Sequence, residues 1–356
     1  MAWYDPSWTY RAKCTANNTK VSGDITDYRF YLDMSQFGSG HGVWSNGSST
    51  GADYRLTESD GTTEIPIEIV DLDTTGKTGW ICGKADISGS TDTDYYLYYG
   101  NAGASGYAET ATYGSQNVWD TECIWCHHME EAVDALDDKS DSQVDDEASS
   151  TGTSGIAGKV GDCHEYSGSE STVFETGVST YLRPTSAITM RALFYADATN
   201  DRVIMYHGDS TNKGWGIWLY GGYLRASIGT GNGNVFTYLT YTISGNISTG
   251  TWYHVMVTWD GTTARLFLDG SQVNSYSHSG TITYAGVSTQ AFIGARAAQN
   301  KWDGKIDEVS LWNTALSTNY APTEYENIFN PSTFWTIGAE ETDTAGPTFI
   351  PKIQII

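Results

Sequence analysis

The sequence predicts an all-β protein: two β-sandwich domains in tandem, followed by an extended C-terminal arm. Three observations carry that expectation. Gly 39, Tyr 24 and Trp 13 with only 17% charged residues describe aromatic, β-branched strands joined by glycine turns. The stretch 251–273, TWYHVMVTWDGTTARLFLDGSQV, sets Asp260-Gly261 and Asp269-Gly270 between strand-like runs, the strongest short-range hairpin signal, and so reads as a three-strand meander. Finally, 356 residues exceed what one core sustains, since single cores stop growing at about 250–300 residues.

Charge narrows the partners. Nineteen Lys and Arg against 43 Asp and Glu leave a formal charge of −24. Phosphate binding needs the opposite sign, so nucleic acid is excluded as a partner. No window approaches the ~18 consecutive apolar residues of a membrane helix, so membrane insertion is not expected. The same acidity suits simple solubility and, equally, calcium held through carboxylate and carbonyl oxygens.

Residues 1–116 form the first unit. Ser59-Asp60-Gly61 is a turn between two alternating runs, after which Glu64, Ile65, Ile67 and Ile69 continue as a strand. Residues 95–99 (YYLYY) make another strand, ended by Gly100-Asn101, whose tolerance of positive φ suits a sharp exit. The aromatics here are expected to serve core and rim packing. The opening segment with Trp8 and Arg11, then GADYRLTESDGTTEIPIEI, then DTDYYLYYGNAGA, resembles an uncharacterised β-sandwich domain that often precedes lectin-like jelly rolls.

A polar connection over 104–116 leads into 117–130, read as the first strand of the second unit (117–340). Cys123-Ile124-Trp125-Cys126-His127 matches a haem-attachment pattern, and with His128, Cys163 and His164 it can be drawn as a zinc site. On a strand, however, residues three apart point to opposite faces. The five cysteines, odd in number and sparse, therefore read as reduced core residues. The run 134–147, DALDDKSDSQVDDE, is acidic without apolar periodicity and reads as an exposed loop. It lacks the fixed glycine and terminal Glu of an EF-hand loop.

Further strands follow. In 188–197, Ile188, Met190, Ala192 and Phe194 alternate with Thr189, Arg191 and Leu193, predicting one buried and one wetter face. Residues 202–206, 215–220 and 223–228 read as short strands with glycine-bearing turns between them. No repeat of 20–50 residues is present, which excludes propellers and solenoids. Residues 334–339 read as the final strand of the second unit. The arm, 341–356, ends in the apolar run FIPKIQII, which is costly to leave in water and is suited to pairing with a partner's sheet edge.

GKVGDCHEYSGSESTVF from Lys159, ITMRALFYAD, the 251–273 meander and GKIDEVSLWNTALS from Gly304 together resemble the concanavalin A-like lectin/glucanase (laminin G-like) jelly roll. That resemblance implies a fold that binds glycans or proteins far more often than it catalyses. Its glycan-cleaving members place two acids on one strand in a Glu-x-Asp-x-x-Glu pattern. Here the nearest match, Lys305-Ile306-Asp307-Glu308-Val309, has Lys where the first acid is needed and no second acid at the required spacing, so the enzymatic reading lacks its residues. The resemblance also implies a structural calcium, held by Asp307 with backbone carbonyls from around Glu130 and Glu131. Asp307 is expected to share a face with Val309 and Leu311 and so to point into the sandwich, where a cation would relieve an unpaired charge.

Glycan binding on such folds uses rings stacked on sugar faces, flanked by groups that read hydroxyls. The candidates are Trp215, Trp218, Tyr220 and Tyr223, with Asn232, Asn234, Phe236 and Tyr238 in the loop that follows; Trp252, Trp259 and Trp312 are assigned to the core. The amino terminus, MAWYDPSWTYRAKC, lacks the basic and apolar regions of a secretory signal. With Met1 as the start, the expectation is a product made in a host cytoplasm: a phage virion-surface protein, whether head decoration, fibre or tail adhesin. It would be homo-oligomeric and contact other virion proteins through its arm. The alternatives are a secreted or cell-surface carbohydrate-binding module of a bacterium or archaeon and, last, a glycoside hydrolase.

Overall fold

The computed structural model describes residues 2–119, 121–130, 147–170, 172–175, 181–208, 213–230, 236–287, 290–296 and 299–343, with the backbone alone for 147–150, 172–175 and 236–238. Their strands pair into four sheets, two for each sandwich. The acidic run 134–147 lies outside the described residues except for the backbone of Glu147.

The first sandwich packs a five-stranded sheet against the three strands Ile25–Asp33, Thr78–Ile87 and Ile67–Asp73. Its core joins Ala12, Leu56 and Leu97 from one layer to Phe30, Leu32 and Ile81 from the other. Thr93–Tyr99 is buried on both faces, because the side away from the core lies under Arg11, whose guanidinium sits 4.3 Å from the Tyr96 ring centroid and donates to the Tyr98 hydroxyl. The five-stranded sheet contains a strand that sequence reasoning placed elsewhere. Trp335–Thr342, expected to close the second unit, instead pairs antiparallel with Tyr10–Ala16 at the edge of the first sandwich, from Ala16 opposite Trp335 to Tyr10 opposite Thr342, with a register shift between Ala12 and Cys14. The chain therefore leaves the first sandwich, builds the second, and returns to finish the first. The expected boundary at 116/117 falls inside the short 3-10 helix Ser115–Asn117, and that at 340/341 falls inside the strand Trp335–Thr342.

The second sandwich packs an eight-stranded sheet on a seven-stranded one. The expected meander is present as Trp252–Trp259, Thr263–Leu268 and Ser271–Ser277. Its second turn has φ of +47° at Asp269 and +73° at Gly270, as a two-residue type I′ hairpin requires. At the first turn the Asp260 carboxylate accepts the Thr262 and Thr263 amides at 2.9 and 2.8 Å. The identical Asp-Gly-Thr-Thr sequence at Asp60 does the same in the first sandwich, at 2.8 Å to both threonine amides, so local turn chemistry sets both corners.

At the centre of the eight-stranded sheet, Ile188–Ala196 lies between Trp252–Trp259 and Asp303–Trp312. Ile188, Met190, Ala192 and Phe194 face the core as expected. The other face, expected to be wetter, is dry: Arg191 and Leu193 are fully buried. Leu193 packs with Trp119, Cys126 and Ile328, so the first sandwich and the helix Tyr320–Phe329 cover this side. The alternation was legible; its second burying surface comes from residues far away in sequence. All five cysteines are buried and none forms a disulfide.

Candidate functional site

Two places concentrate functional side chains. The first is the outer face of the seven-stranded sheet. Lys213–Tyr220 and Tyr223–Thr230 form a hairpin closed by Gly221 and Gly222, with φ of +59° and +83°, a pair of left-handed positions that only glycine takes without strain. Side chains alternate across this hairpin. Trp215, Ile217, Leu219, Leu224, Ala226 and Ile228 point into the core; Trp218 opposite Arg225, and Tyr220 opposite Tyr223, point out.

Parity therefore divides the aromatic candidates. Trp215 is 0% exposed and donates its indole N–H to the Leu182 carbonyl at 2.9 Å; it is a core residue, and its assignment as a stacking platform is corrected on that ground. Trp218 lies half-buried at 5.8 Å from the Tyr206 ring, while Tyr220 and Tyr223 are 45% and 40% exposed. The Arg225 guanidinium lies 4.9 Å from the Tyr220 centroid and 5.6 Å from that of Tyr223. Behind Trp218 a small apolar cluster of Val203, Tyr206, Phe292 and Ala295 supports the face from outside the main core. A shallow pocket between Trp218, Tyr220, Arg296 and Asn300 completes it. Phe236 and Tyr238 pair in register with Gly229 and Ser227 on the neighbouring strand; Asn232 and Asn234 lie outside the described residues.

The second place is the buried junction between the sandwiches. The strand Asp303–Trp312 carries a β-bulge where Glu308 adopts φ +51°. A bulge inserts one extra residue and reverses which face the following positions take. Ile306, Val309 and Leu311 thus all reach the core, while Asp307, opposite the junction-facing Leu193, turns away from it. The expectation that Asp307 shares a face with Val309 and Leu311 is corrected accordingly. Glu308 accepts from the Tyr31 hydroxyl at 2.5 Å, from Arg191 Nη1 at 3.0 Å and from His128 Nδ1 at 2.5 Å. His128 Nε2 faces Glu68 at 3.1 Å, and Glu68 also accepts the Trp119 indole N–H. Arg191 Nε lies 3.6 Å from Glu324, whose other oxygen meets His254 Nε2 at 2.9 Å.

Burial alone would lower the His128 pKa, but the charges of Glu308 and Glu68 push it well above the ordinary imidazole value. With a carboxylate on each nitrogen, the ring is held as an imidazolium. Burial likewise raises Glu308, yet His128, Arg191 and Tyr31 hold its pKa below the ordinary value. Sequence reasoning missed this network. Its signal was Arg191 at an interior position of an otherwise apolar strand, since an arginine is rarely fully buried unless paired.

The Asp307 Oδ2 accepts the backbone N–H groups of Lys159 and Val160 at 2.7 and 3.0 Å, while its buried Oδ1 has no hydrogen-bond partner among the described residues. Burial, then the charge of Glu308, raises its pKa well above the carboxylate range. Glu130 is pushed up to about 9, by burial first and then by Glu308, Asp307 and Asp71 against the opposing charge of His128. Glu131 lies outside the described residues. Among the described residues no group of three or more His, Cys, Asp and Glu side chains could hold a metal.

The model for the concanavalin A-like lectin/glucanases superfamily (Laminin_G_3) matches residues 168–319. No curated protein matches the sequence. Among solved structures the chain is similar to the receptor binding domain of botulinum neurotoxin mosaic serotype C/D (15% identity, TM-score 0.44, 58% of this chain and 50% of that one). It is also similar to the binding domain of Paraclostridial Mosquitocidal Protein 1 (16%, 0.46, 59% and 53%). A third is domain 4 of AbnA, an extracellular GH43 arabinanase from Geobacillus stearothermophilus, in complex with arabinotriose (14%, 0.42, 56% and 97%). The chain spans about half the length of the two toxin domains. The stretch that matches the concanavalin A-like lectin/glucanases superfamily, residues 168–319, falls within the two-sheet architecture of the second sandwich.

Proposed function

We propose that this is a non-catalytic recognition protein that binds glycans on the outer face of its seven-stranded sheet. One observation carries the reading. Tyr220 and Tyr223, two of the five large apolar side chains exposed among the described residues, stand together beside the half-buried Trp218 on a rigid hairpin. Rings fixed in this way present stacking surface at little cost in side-chain entropy, which is how protein surfaces hold the apolar face of a sugar. At the junction Glu308 and Glu324 are buried and engaged by His128, Arg191 and His254. A polysaccharide does not reach them, which supports a binding role over hydrolysis.

We further infer display on a surface, that of a phage virion before that of a cell. Five buried cysteines outside any disulfide support folding in a reducing compartment, and among the described residues no helix is long and apolar enough to cross a membrane. In this reading residues 344–356, outside the described residues, contact a partner subunit or virion protein. Deleting them should change the assembly state in sedimentation while leaving the melting temperature within a few degrees; an unchanged assembly state would sink that role. For the glycan reading, the full chain is tested on an array against its W218A and Y220A/Y223A variants. Binding lost in both variants at unchanged melting temperature is expected. Wild-type binding that survives both would place the ligand elsewhere.

A further inference from the structure

The first sandwich holds a cavity of about 360 Å³ between the strand Ile67–Asp73 and the connection 104–116, with the exposed Thr50 on its rim. That strand is the last of its three-stranded sheet. Its Ile67 N–H bonds the Tyr113 carbonyl at 3.3 Å, and Ile69, two residues on, turns its own N–H and C=O to the same side. The cavity wall therefore offers a backbone donor and a backbone acceptor. The Tyr107 and Tyr113 rings, with centroids 5.9 Å apart, line it as well.

Glu68, 7% exposed, also lines the cavity. Its Oε2 is fixed by the Trp119 indole N–H and by His128 Nε2, and its Oε1 has no hydrogen-bond partner among the described residues. A carboxylate held this firmly with one oxygen uncommitted selects a ligand that donates. The neighbouring charges decide which donor. An anion would meet Glu68 and the exposed Glu109. An ammonium would meet the His128 imidazolium, which already compensates Glu68, and the Arg55 guanidinium, 4.1 Å from the Tyr107 centroid. Arg55 itself is committed to the carbonyls of Ala52, Tyr54 and Ser105 and lies 3.5 Å from Glu64. A neutral hydroxyl donates to a carboxylate and meets neither repulsion. We propose that this cavity binds a neutral polyol the size of one monosaccharide, with Glu68 Oε1 accepting from one hydroxyl, Ile69 pairing with a second, and the Tyr107 and Tyr113 rings against the carbon skeleton. At about 360 Å³ the cavity lies near the lower end of small-molecule sites, roughly 300–1,000 Å³. It has room for a single ring and not for a polysaccharide running through it, so the site is separate from the outer face of the seven-stranded sheet.

The test uses the full chain carrying W218A/Y220A/Y223A, so that the outer face cannot contribute. Saturation-transfer NMR and calorimetric titration compare the methyl glycosides of glucose, galactose and mannose with glucosamine and glucuronate as charged counterparts. At least one neutral glycoside is expected to bind, at least tenfold more tightly than either charged sugar. E68Q should weaken it. T50W, which fills the mouth from an exposed position, and Y113A, which removes a ring and keeps the backbone bond to Ile67, should each weaken it at least tenfold at unchanged melting temperature, and they decide the matter if E68Q fails to fold. Binding that survives both T50W and Y113A overturns the assignment. So does a preference for glucosamine or glucuronate, or the absence of binding by all three neutral glycosides; none of these results touches the outer-face reading, whose residues this chain lacks.

Discussion

Arg191 shows how much one side chain holds at the junction. It is fully buried and meets Glu308, Glu324 and the Tyr31 hydroxyl. Removing one member of such a set strands the others as uncompensated buried charges, which costs about 3–5 kcal/mol. Arg191→Ala should therefore lower stability by about that amount in chemical denaturation, whereas Arg225→Gln, on the surface, should change it by less than about 0.5 kcal/mol. Asp307 gives a contrasting prediction. Burial raises its pKa well above the ordinary carboxylate value, and it accepts two backbone amides, so Asp307→Asn keeps the acceptor. The variant should melt within a few degrees of the parent, and EDTA should leave the parent's melting temperature unchanged. A large drop on either treatment would restore the calcium expectation. In sequence, Asp307 was legible as a buried acid; the bulge at Glu308 that turns it to the junction was not, because nothing local marks a left-handed glutamate.

Among the elements, strands with local turns were the most readable. Asp-Gly at 260 and at 269 set hairpins in register through hydrogen bonds spanning only a few residues. The separation of Trp215 from Trp218 was equally available, since residues three apart on a strand must face opposite ways. The pairing of Trp335–Thr342 with Tyr10–Ala16 was not legible, for an edge strand's partner is chosen by a sheet formed more than three hundred residues earlier. That pairing has a consequence for fragments. Residues 1–116 alone leave Tyr10–Ala16 as an unpaired edge and remove Trp335, whose indole N–H meets the Tyr31 carbonyl at 2.9 Å. The fragment should be unfolded or aggregated by circular dichroism and sedimentation, and appending residues 330–343 through a flexible linker should restore a cooperative transition. A well-folded 1–116 would show that the returning strand is dispensable.

Over the whole molecule, the two outer faces of the jelly roll have opposite fates. The eight-stranded side is sealed by the first sandwich around a charged network, and the seven-stranded side presents rings and arginines to solvent. Sealing titratable groups makes stability depend on pH, and the sign follows from the shifts. His128, Asp307 and Glu130 all have pKa values raised in the fold, so the native state binds protons that the unfolded chain has released. Their stabilising contribution is full below the unfolded values, about 6.5 for histidine and about 4 for the acids, and is lost as pH rises through the folded ones, about 9 for Glu130. Glu308, with its pKa lowered, acts the opposite way and loses its contribution as pH falls below about 4. The melting temperature should therefore decline between about pH 6 and pH 9, and His128→Gln should flatten that decline. A profile that rises over the same interval would contradict the assignment.

The outward face of the second sheet is tested most directly by hydrogen exchange on the full chain, alone and saturated with the tightest binder from a panel of neutral and acidic polysaccharides. Protection should appear in Lys213–Tyr220 and Tyr223–Thr230 and in the adjoining segment 202–206, with the first sandwich unchanged. Protection confined to the first sandwich or to the junction would contradict the account.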